Sequence, residues 1–416
     1  LGMIYFSTGN PGPDYNGPSR AGDNLFTASI VALDVYTGEY RWHFQQVHHD
    51  IWDFDAPNPV VLFDLPYNGR IRKGLAQAGK TGWVYILDRT NGEPLVGIDE
   101  KPVPQESRQM TSATQPVPVG DAFVSQTLDI PAEGFELANG GAIFTPFWED
   151  PILLRRSEAN WPPSAVDPLS GVMYVCAGER QAAYSTREGF EQVEPGERYV
   201  AGSMRFAPIA TTGVVAAVDL RTNKLVWSQR WPSRCYSGLV ASAGGLVFAG
   251  RNDGRLTAMD SRNGKKLWEF MTDAGVNAPP TIYEHNGKQY IAVLSAGNLL
   301  ASTKHGDSVW VFGLDEDGLE STIQIDEITP PLANDQGLAL YRQNCVFCHG
   351  LRGEGGHSGM PLEGLAAFHT NYVSNIIRGG KNNMPSFASV FSVNQIRLIA
   401  EHVRTLNPGT LNRNSQ

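Results

Sequence analysis

A recurring phrase constrains the fold of this 416-residue chain more than any other feature of its sequence. In each copy an apolar run ends in an aspartate, a short turn that usually contains glycine follows, and the next strand often carries a tryptophan. The five aspartates are Asp34, Asp88, Asp167, Asp219 and Asp260, spaced 54, 79, 52 and 41 residues apart. A propeller blade takes about 40 to 50 residues, and the longer intervals leave room for loops. The pattern predicts an all-β propeller, and a β-sandwich with chance turns is the alternative.

Composition agrees with a fold of many short strands and excludes several classes of function. The chain has 44 glycines and 27 prolines spread along it, which indicates frequent turns. The net charge is −10 and no basic run occurs, so nucleic acid is not an expected partner. No apolar stretch approaches the length of about 18 residues that a transmembrane helix needs. Because the chain opens on a strand-like segment, Leu1–Phe6, we expect further sequence before it.

The residue composition changes near residue 315. There an acidic stretch and then a proline-containing stretch follow the last predicted strand, which is rich in aromatic residues. Beyond it, apolar residues recur at three and four positions, as in Ile396 to Val403, which is typical of amphipathic helices. We therefore predict a partial β-propeller over residues 1–318, a linker over 319–333 and a small all-α domain over 334–416.

The segment Cys345-Val346-Phe347-Cys348-His349 has the C-x-x-C-H pattern of covalent haem c attachment. Two thiols one helical turn apart can each bond a vinyl group of the porphyrin, and the adjacent imidazole can bind the iron. A thioredoxin-like pair would need a βαβ setting, and a zinc site would need a second ligand pair. We predict that Cys345 and Cys348 hold haem c and that His349 is an axial ligand.

The sixth iron ligand must come from elsewhere in the helical domain. Two methionines precede proline there, Met360 and Met384. The domain resembles class I c-type cytochromes, in which the Met-Pro loop before the final helix carries the ligand. This resemblance implies Met384, leaving Met360 as part of the haem pocket wall.

The other two cysteines stand alone in the sequence. Cys176 lies in an apolar run, so the simplest interpretation is a free, buried thiol that packs as a small hydrophobic group. The sequence does not decide the state of Cys235.

Four segments of the predicted propeller carry a closer resemblance, and they are residues 7–13, 22–24, 48–57 and 80–92. In their order and spacing they resemble the pyrroloquinoline-quinone (PQQ)-dependent alcohol dehydrogenases. With the cytochrome domain attached, the chain is similar to the later two-thirds of the soluble quinohaemoprotein type. The resemblance implies about five of the eight W-motif blades of a ring.

The resemblance implies a role for each of five residues. Asn10 would bind a metal ion through its side-chain oxygen, and Asp53 would lie at the metal and act as the catalytic base. Lys80 would hydrogen-bond the quinone oxygens, and Asn160 with Trp161 would contact the cofactor. The chemistry agrees, because a hard cation takes oxygen ligands and polarises a carbonyl, while a carboxylate can accept a hydroxyl proton. Taken singly, each residue could instead be an ordinary turn or surface residue.

Asp55 resembles the second carboxylate of the lanthanide-dependent methanol dehydrogenases, which adds an anionic metal ligand. Membrane glucose dehydrogenases also carry Asp-x-Asp at this place without that metal, so Ca²⁺ and a lanthanide both stay open. His48 and His49 are interpreted as packing or supporting residues, since a hard cation prefers oxygen.

The chain also departs from the family pattern. The family's glutamate metal ligand, its adjacent-cysteine ring and the tryptophan beneath the quinone all lie before the position of Leu1. The stretch Phe144–Glu158 is longer than the usual path to Asn-Trp. We therefore expect the chain to hold part of its cofactor pocket, and by itself to be inactive.

The expected protein is a periplasmic enzyme that oxidises an alcohol by hydride transfer to PQQ and passes electrons to haem c. An external acceptor, such as a soluble cytochrome or a copper protein, would take them onward. Two alternatives are an aldose dehydrogenase of the same family and a non-catalytic propeller scaffold with a haem domain. Convergence of Asn10, Asp53 and Lys80 on one cavity would distinguish an enzyme from a scaffold.

Overall fold

The computed structural model describes residues 1–128, 134, 136–188, 199–207, 211–313, 333–350, 353, 361–362, 365, 368–381 and 384–406. The chain divides into two compact units, Leu1–Leu314 and Asp315–Gln416. The predicted linker, 319–333, lies outside the described residues except for its last position.

In its described part, the first unit is built of antiparallel strands in six sheets. The first three sheets, in chain order, contain β1 (Met3–Ser7), β2 (Ser29–Asp34) and β3 (Tyr40–Gln45); β4 (Val61–Tyr67), β5 (Arg70–Ala78) and β6 (Val84–Asp88); and β7 (Ile98–Pro102) and β8 (Thr114–Pro118). The fourth contains β9 (Ile152–Ser157), β10 (Ala165–Asp167), β11 (Val172–Ser185), β12 (Ser203–Phe206), β13 (Thr212–Asp219) and β14 (Lys224–Trp231). The last two contain β15 (Leu239–Ala241), β16 (Leu246–Gly250), β17 (Arg255–Asp260) and β18 (Lys266–Met271); and β19 (Thr281–His285), β20 (Lys288–Ser295) and β21 (Ser308–Gly313).

The repeated aspartate closes the turn between two strands. In the first copy the Asp34 carboxylate accepts hydrogen bonds from the amides of Tyr36 and Thr37, at 2.9 and 3.0 Å. Gly38 then donates its amide to the Asp34 carbonyl at 2.9 Å and has φ +73°, a conformation that favours glycine. The same arrangement recurs where β6 ends at Asp88. The repeated sequence pattern is thus a turn motif. In it the aspartate side-chain oxygen accepts hydrogen bonds from backbone amides of the turn.

The tryptophan of the phrase joins one sheet to the next. Trp42 on β3 donates its indole N–H to the Arg89 carbonyl, in the turn after β6, at 3.3 Å. Its ring covers Gly92, where a Cβ atom would lie 2.6 Å from the indole. Trp227 on β14 covers Gly264 in the turn after β17 in the same way. The pattern therefore encodes contacts between neighbouring blades as well as the turns.

Alternating residues of the central strands face two neighbouring sheets. Met173 and Val175 on β11 pack with Phe63 and Ile86 of the second sheet. The intervening Tyr174, with Cys176, packs against Val247 and Met259 of the fifth sheet; side chains at successive strand positions point to opposite faces, so one strand supports two cores. Stacked sheets of this kind confirm the predicted partial propeller.

The interpretation of Cys176 as a free thiol is wrong. Cys176 on β11 forms a disulfide bond with Cys235, which lies between β14 and β15. Both residues are buried, and their Cα atoms are 5.4 Å apart. The apolar surroundings of Cys176 indicated burial correctly, but the 59-residue separation of the two cysteines concealed their pairing in the fold.

The second unit contains four helices in its described part. They are α1 (Ala333–Asn344), α2 (Val346–His349), α3 (Thr370–Gly379) and α4 (Val393–Val403). Ser392 caps α4 by accepting a hydrogen bond from the Gln395 amide, and the Gln395 side chain accepts one from the Ser392 amide in return. The apolar positions predicted from helical spacing lie in its core, among them Val373, Ile377, Ile396 and Ile399. None of the helices in the described part of the chain has the length and apolar character that a membrane crossing requires.

Candidate active site

A tight turn at residues 50–54 presents Asp53. The buried Asp50 carboxylate accepts hydrogen bonds from the amides of Trp52 and Phe54, at 2.8 and 2.7 Å. Asp53 has φ +60°, in the left-handed region that few residues other than glycine, asparagine and aspartate adopt. Burial raises the pKa of Asp50 to about 7. Trp52 and Phe54 are buried on either side of Asp53. The Asp53 carboxylate contacts other groups than the amides that Asp50 binds.

Lys80 brings a buried ammonium to this turn from the loop after β5. It is only 5% exposed, and its Nζ lies 3.3 Å from both Oδ1 and the carbonyl oxygen of Asp53. The same ammonium forms an ion pair with Oδ1 of Asp55. The structure thus brings together three of the residues that the sequence singled out.

Arg156 on β9 is a site residue that the sequence analysis missed. Its guanidinium is buried and contacts Oδ2 of Asp53 at 2.5 Å. It also donates to the carbonyl oxygens of Trp52 and Asp53, at 2.8 and 3.1 Å. A signal was present, because two successive arginines, Arg155 and Arg156, follow directly on the apolar run that begins this strand. Buried charges of this kind are rare unless paired.

The two carboxylates respond differently to this environment. Burial favours the neutral acid at Asp53, but the charges of Arg156 and Lys80 outweigh it and hold its pKa below the usual value. At Asp55, burial and the negative charge of Asp53 raise the pKa despite the Lys80 ammonium. Asp53 is thus kept ionised, which is the form in which a carboxylate can accept a proton.

Asn10 lies on a segment that is hydrogen-bonded to this turn. The Ala56 amide donates to the Thr8 carbonyl at 3.2 Å, and the Ala28 amide donates to that of Gly9 at 2.8 Å. The Asn10 side-chain amide donates to the Pro11 carbonyl at 3.2 Å, which directs its nitrogen to its own loop. No described contact joins the Asn10 side chain to Asp53, so its role as a metal ligand stays a prediction.

Asn160 and Trp161 follow the same strand as Arg156. Asn58 donates its side-chain amide to the carbonyl of Asn160 at 2.9 Å, and the Gln77 side chain bonds the carbonyls of Ala56 and Asn58. These bonds hold the Asn-Trp segment beside the one that carries Asp53 and Asp55. The Trp161 side chain is 45% exposed, and its contact with the cofactor stays a prediction.

The two histidines before the turn do not contact the carboxylates of Asp53 or Asp55 in any described interaction. His49 is buried with its ring nitrogens 2.6 and 2.8 Å from the carbonyl oxygens of Gly22 and Gln109. Burial, the first of several causes, lowers the pKa of this imidazole. His49 thus joins three loop segments, which fits the supporting role expected for it.

The residues at the site fit a cation with oxygen ligands. The carboxylates of Asp53 and Asp55 both contact the buried Lys80 ammonium, so two carboxylates lie close together. Carboxylate oxygens are ligands that hard cations prefer. Over the described ranges, no three His, Cys, Asp or Glu side chains gather into a metal-binding group. The predicted site would therefore depend on amide oxygen, such as that of Asn10, besides the two carboxylates.

The haem-binding motif forms the short helix α2 of the second unit. The amides of Cys348 and His349 donate to the Cys345 carbonyl, at 3.1 and 2.9 Å, so the three residues follow one helical turn. Burial raises the pKa of the Cys345 thiol to about 12. Met384 lies in a loop closed by two backbone hydrogen bonds with Lys381, before α4. Met360, the competing ligand, lies outside the described residues.

Three family models match the chain. Residues 1–194 match the model described as "Glucose/ethanol/alcohol dehydrogenase, beta-propeller domain". Residues 211–341 match "Outer membrane protein assembly factor BamB", and residues 332–403 match "Cytochrome C oxidase, cbb3-type, subunit III". The matches thus cover a quinoprotein propeller, further propeller sequence and a cytochrome domain.

Relatives of known name share both the sequence and the fold. The quinohemoprotein alcohol dehydrogenase of Comamonas testosteroni is 29% identical over 97% of this chain and 58% of its own length. A solved structure of that enzyme superposes with a TM-score of 0.58, covering 97% of this chain and 61% of the other. Quinoprotein alcohol dehydrogenase PedH of Pseudomonas putida is 33% identical over 70% of this chain and 47% of its own length. The structure of a europium-containing methanol dehydrogenase gives a TM-score of 0.53 at 26% identity, covering 71% of this chain and 49% of the other. This chain therefore spans about half to three-fifths of the length of these relatives.

Proposed function

Because the chain belongs to the PQQ-dependent alcohol dehydrogenase family, we propose that its protein oxidises an alcohol by hydride transfer to PQQ and passes the electrons to haem c. One observation carries the proposal. The carboxylate of Asp53 is held between the cations of Lys80 and Arg156, at 3.3 and 2.5 Å. A half-buried acid kept ionised in this way is suited to act as a general base.

Asp53 would take the hydroxyl proton of the substrate while hydride leaves the adjacent carbon. Its lowered pKa means that the carboxylate is ready to accept that proton at neutral pH without prior deprotonation. The bound quinone supplies the two-electron acceptor for the hydride. The task of this chain is therefore to hold the base ionised at the reacting hydroxyl.

Lys80 would hydrogen-bond the quinone oxygens, as the family resemblance implies. Its burial strengthens the field of the ammonium, because little water is present to screen it. Its ion pairs with Asp53 and Asp55 fix the long side chain in one place. A positive charge held at that place favours negative charge that develops on a nearby ligand.

Asn10, Asp53 and Asp55 would hold a hard metal ion beside the quinone. The closeness of the two carboxylates, which share the Lys80 ammonium, supports this assignment. Two carboxylates add more negative charge than one, which favours a trivalent ion, while Ca²⁺ accepts the same oxygen ligands. The proposal is therefore Ca²⁺ or a lanthanide, and the metal that restores activity decides between them.

Haem c would be held by Cys345 and Cys348, with His349 and Met384 as its axial ligands. A thioether ligand raises the reduction potential of haem, which suits a centre that accepts electrons. A soluble cytochrome or a copper protein is the proposed acceptor beyond it.

We place this protein in the periplasm for two reasons. Covalent haem is attached outside the bacterial cytoplasm, and the buried disulfide between Cys176 and Cys235 is typical of an oxidising compartment. The disulfide gives support that is independent of the family resemblance.

The test is to reconstitute the intact protein with PQQ and either Ca²⁺ or La³⁺ and to measure dye reduction with alcohols and aldoses. We expect turnover with primary alcohols, loss of turnover in Asp53→Asn, and an unchanged haem spectrum in that variant. Turnover with aldoses alone would assign the protein to the aldose dehydrogenases. No turnover with any substrate and metal would favour the non-catalytic scaffold.

A further inference from the structure

One stretch of the chain, residues 144–158, contacts the turn of Asp53, the proposed base, at two places. The Trp52 indole donates to the carbonyl of Thr145 at 2.8 Å, and eleven residues later the Arg156 guanidinium bonds the turn again. Both contacts come from the stretch between Phe144 and Glu158, to which the family resemblance assigns no residue role.

We propose that Arg156 is a positioning residue, which fixes the backbone and the carboxylate of Asp53 in the orientation that the reaction requires. The proposal rests on the assignment of Asp53 as the base. Arg156 acts through Asp53 and is not assigned a contact with the substrate.

The geometry of the contacts explains why arginine occupies this position. The terminal nitrogens of Arg156 reach the carbonyl oxygen of Trp52, the carbonyl oxygen of Asp53 and Oδ2 of Asp53. A planar guanidinium can serve several acceptors at fixed angles, whereas a lysine ammonium is a compact point charge. Only the arginine side chain can therefore hold the two carbonyls and the carboxylate together.

The backbone of Asp53 needs such support. Its φ of +60° lies in the left-handed region, which is energetically unfavourable for a residue other than glycine. Hydrogen bonds from Arg156 to the carbonyls on both sides of that residue's N–Cα bond stabilise the conformation. The Asp50 carboxylate accepts hydrogen bonds from amides of the same turn. Asp50 therefore binds amide groups of the turn, and Arg156 binds its carbonyl groups.

Tyr184 on β11 holds Arg156 itself in place. Its hydroxyl accepts a hydrogen bond from Arg156 at 2.9 Å and donates one to the Trp52 carbonyl at 3.2 Å. Its ring stacks on Phe147 with centroids 5.3 Å apart and meets Tyr15 edge-on at 6.0 Å. The arginine is thus fixed by a buried neighbour and is not free to adopt another rotamer.

The experiment compares Arg156→Lys, Arg156→Met and Tyr184→Phe in the intact protein. Arg156→Lys keeps a positive charge but loses the three-acceptor geometry. We expect kcat to fall about 10- to 100-fold in Arg156→Lys and about 100- to 1,000-fold in Arg156→Met, since a displacement of about 1 Å can cost 10²-fold. Tyr184→Phe, a smaller change that leaves the arginine present, should lower kcat several-fold.

Two further readouts separate positioning from a purely structural role. We expect the affinity for PQQ, followed by fluorescence quenching, to stay within about threefold of wild type in Arg156→Lys, so that kcat and not binding is lost. Added guanidinium ion should restore part of the activity of Arg156→Met. Arg155→Lys is the matched control, because the Arg155 side chain donates to the Thr127 carbonyl and belongs to no proposed machinery.

Three results would overturn the proposal. They are a wild-type kcat in Arg156→Lys, a parallel loss of PQQ affinity and kcat in both Arg156 variants, and a wild-type kcat in Tyr184→Phe combined with no guanidinium rescue. Failure of the proposed function is distinguishable, because it would appear as turnover retained in Asp53→Asn whatever the behaviour of Arg156.

Discussion

Lys80 Nζ lies 3.3 Å from Oδ1 of Asp53 and 3.3 Å from the carbonyl oxygen of the same residue. The two residues are 27 positions apart in the sequence. A buried lysine paired with two aspartates has no reason to be in a propeller loop on grounds of stability alone, because burying ion pairs costs much of what their attraction returns. The arrangement is better explained by chemistry.

Removal of the Lys80 charge should impair both cofactor binding and turnover. In Lys80→Met the carboxylates of Asp53 and Asp55 lose their shared cation, so we expect kcat to fall at least 100-fold and PQQ affinity at least tenfold. Lys73→Met on β5 is the control, because that side chain is exposed. Dye-linked kinetics and a quinone titration provide the measurements. Equal activity in the two variants would remove Lys80 from the site.

Asp55 should decide the preference between metals. We expect Asp55→Asn to lose activation by La³⁺ at least tenfold more than activation by Ca²⁺, because the variant removes one negative oxygen ligand. Activity as a function of each metal concentration gives the two apparent affinities. An equal loss with both metals would show that the carboxylate does not select by charge.

Met384 should control the potential of the haem. Met384→Ala removes the proposed thioether, so we expect a lower reduction potential and a changed spectrum of the oxidised haem, with covalent attachment intact. Redox titration and a haem stain after denaturing electrophoresis measure the two properties. If the spectrum does not change, the ligand lies elsewhere, and Met360→Ala becomes the informative comparison.

The disulfide should stabilise the propeller without contributing to catalysis. Replacing Cys176 and Cys235 together by alanine should lower the free energy of unfolding by about 2–4 kcal/mol, because the unfolded chain regains the freedom that the cross-link removes. Denaturant unfolding of the double variant, compared with the wild type under oxidising and reducing conditions, measures the difference. The expected result under reducing conditions is that the two proteins converge.

Asp273 should make the last sheet sensitive to acid. Its carboxylate accepts hydrogen bonds from the Ser308 hydroxyl at 2.6 Å and the Trp310 indole at 3.1 Å, and the Ser308 bond is the main cause that lowers its pKa to about 2. Because the folded pKa lies below the unfolded value of 3.8, the carboxylate stabilises the fold above about pH 4, and this stabilisation is lost as the pH falls towards 2.

The variant Asp273→Asn should therefore flatten the pH dependence of unfolding between about pH 4 and 2, with tryptophan fluorescence as the probe. Asp253→Asn is a suitable control, since the Asp253 carboxylate contacts the side chain and the amide of Arg255 at an exposed position. The same acid dependence in the wild type and the Asp273 variant would contradict the assignment.

Much of the fold could be predicted because its signals are local. The turn needs an aspartate that accepts a hydrogen bond from the amide two residues on, and a glycine with positive φ four residues on, so this pattern recurs at Asp34 and Asp88. The C-x-x-C-H motif is local as well, since one helical turn contains its three reactive groups. Lys80 was found from the family resemblance, and the structure places it beside Asp53, while its role towards the quinone stays a prediction.

What the sequence left undetermined depends on residues that meet only after folding. Arg156 lies 103 residues from Asp53, and Cys176 lies 59 from Cys235. The sequence determined the repeated turns, the blades and the haem motif, because each depends on the chemistry of adjacent residues. The tertiary structure alone decided that Arg156 contacts the Asp53 carboxylate and which two thiols are joined. The physical reason is that a buried charge or thiol takes its partner from the side chains that the packing of separate sheets brings within reach.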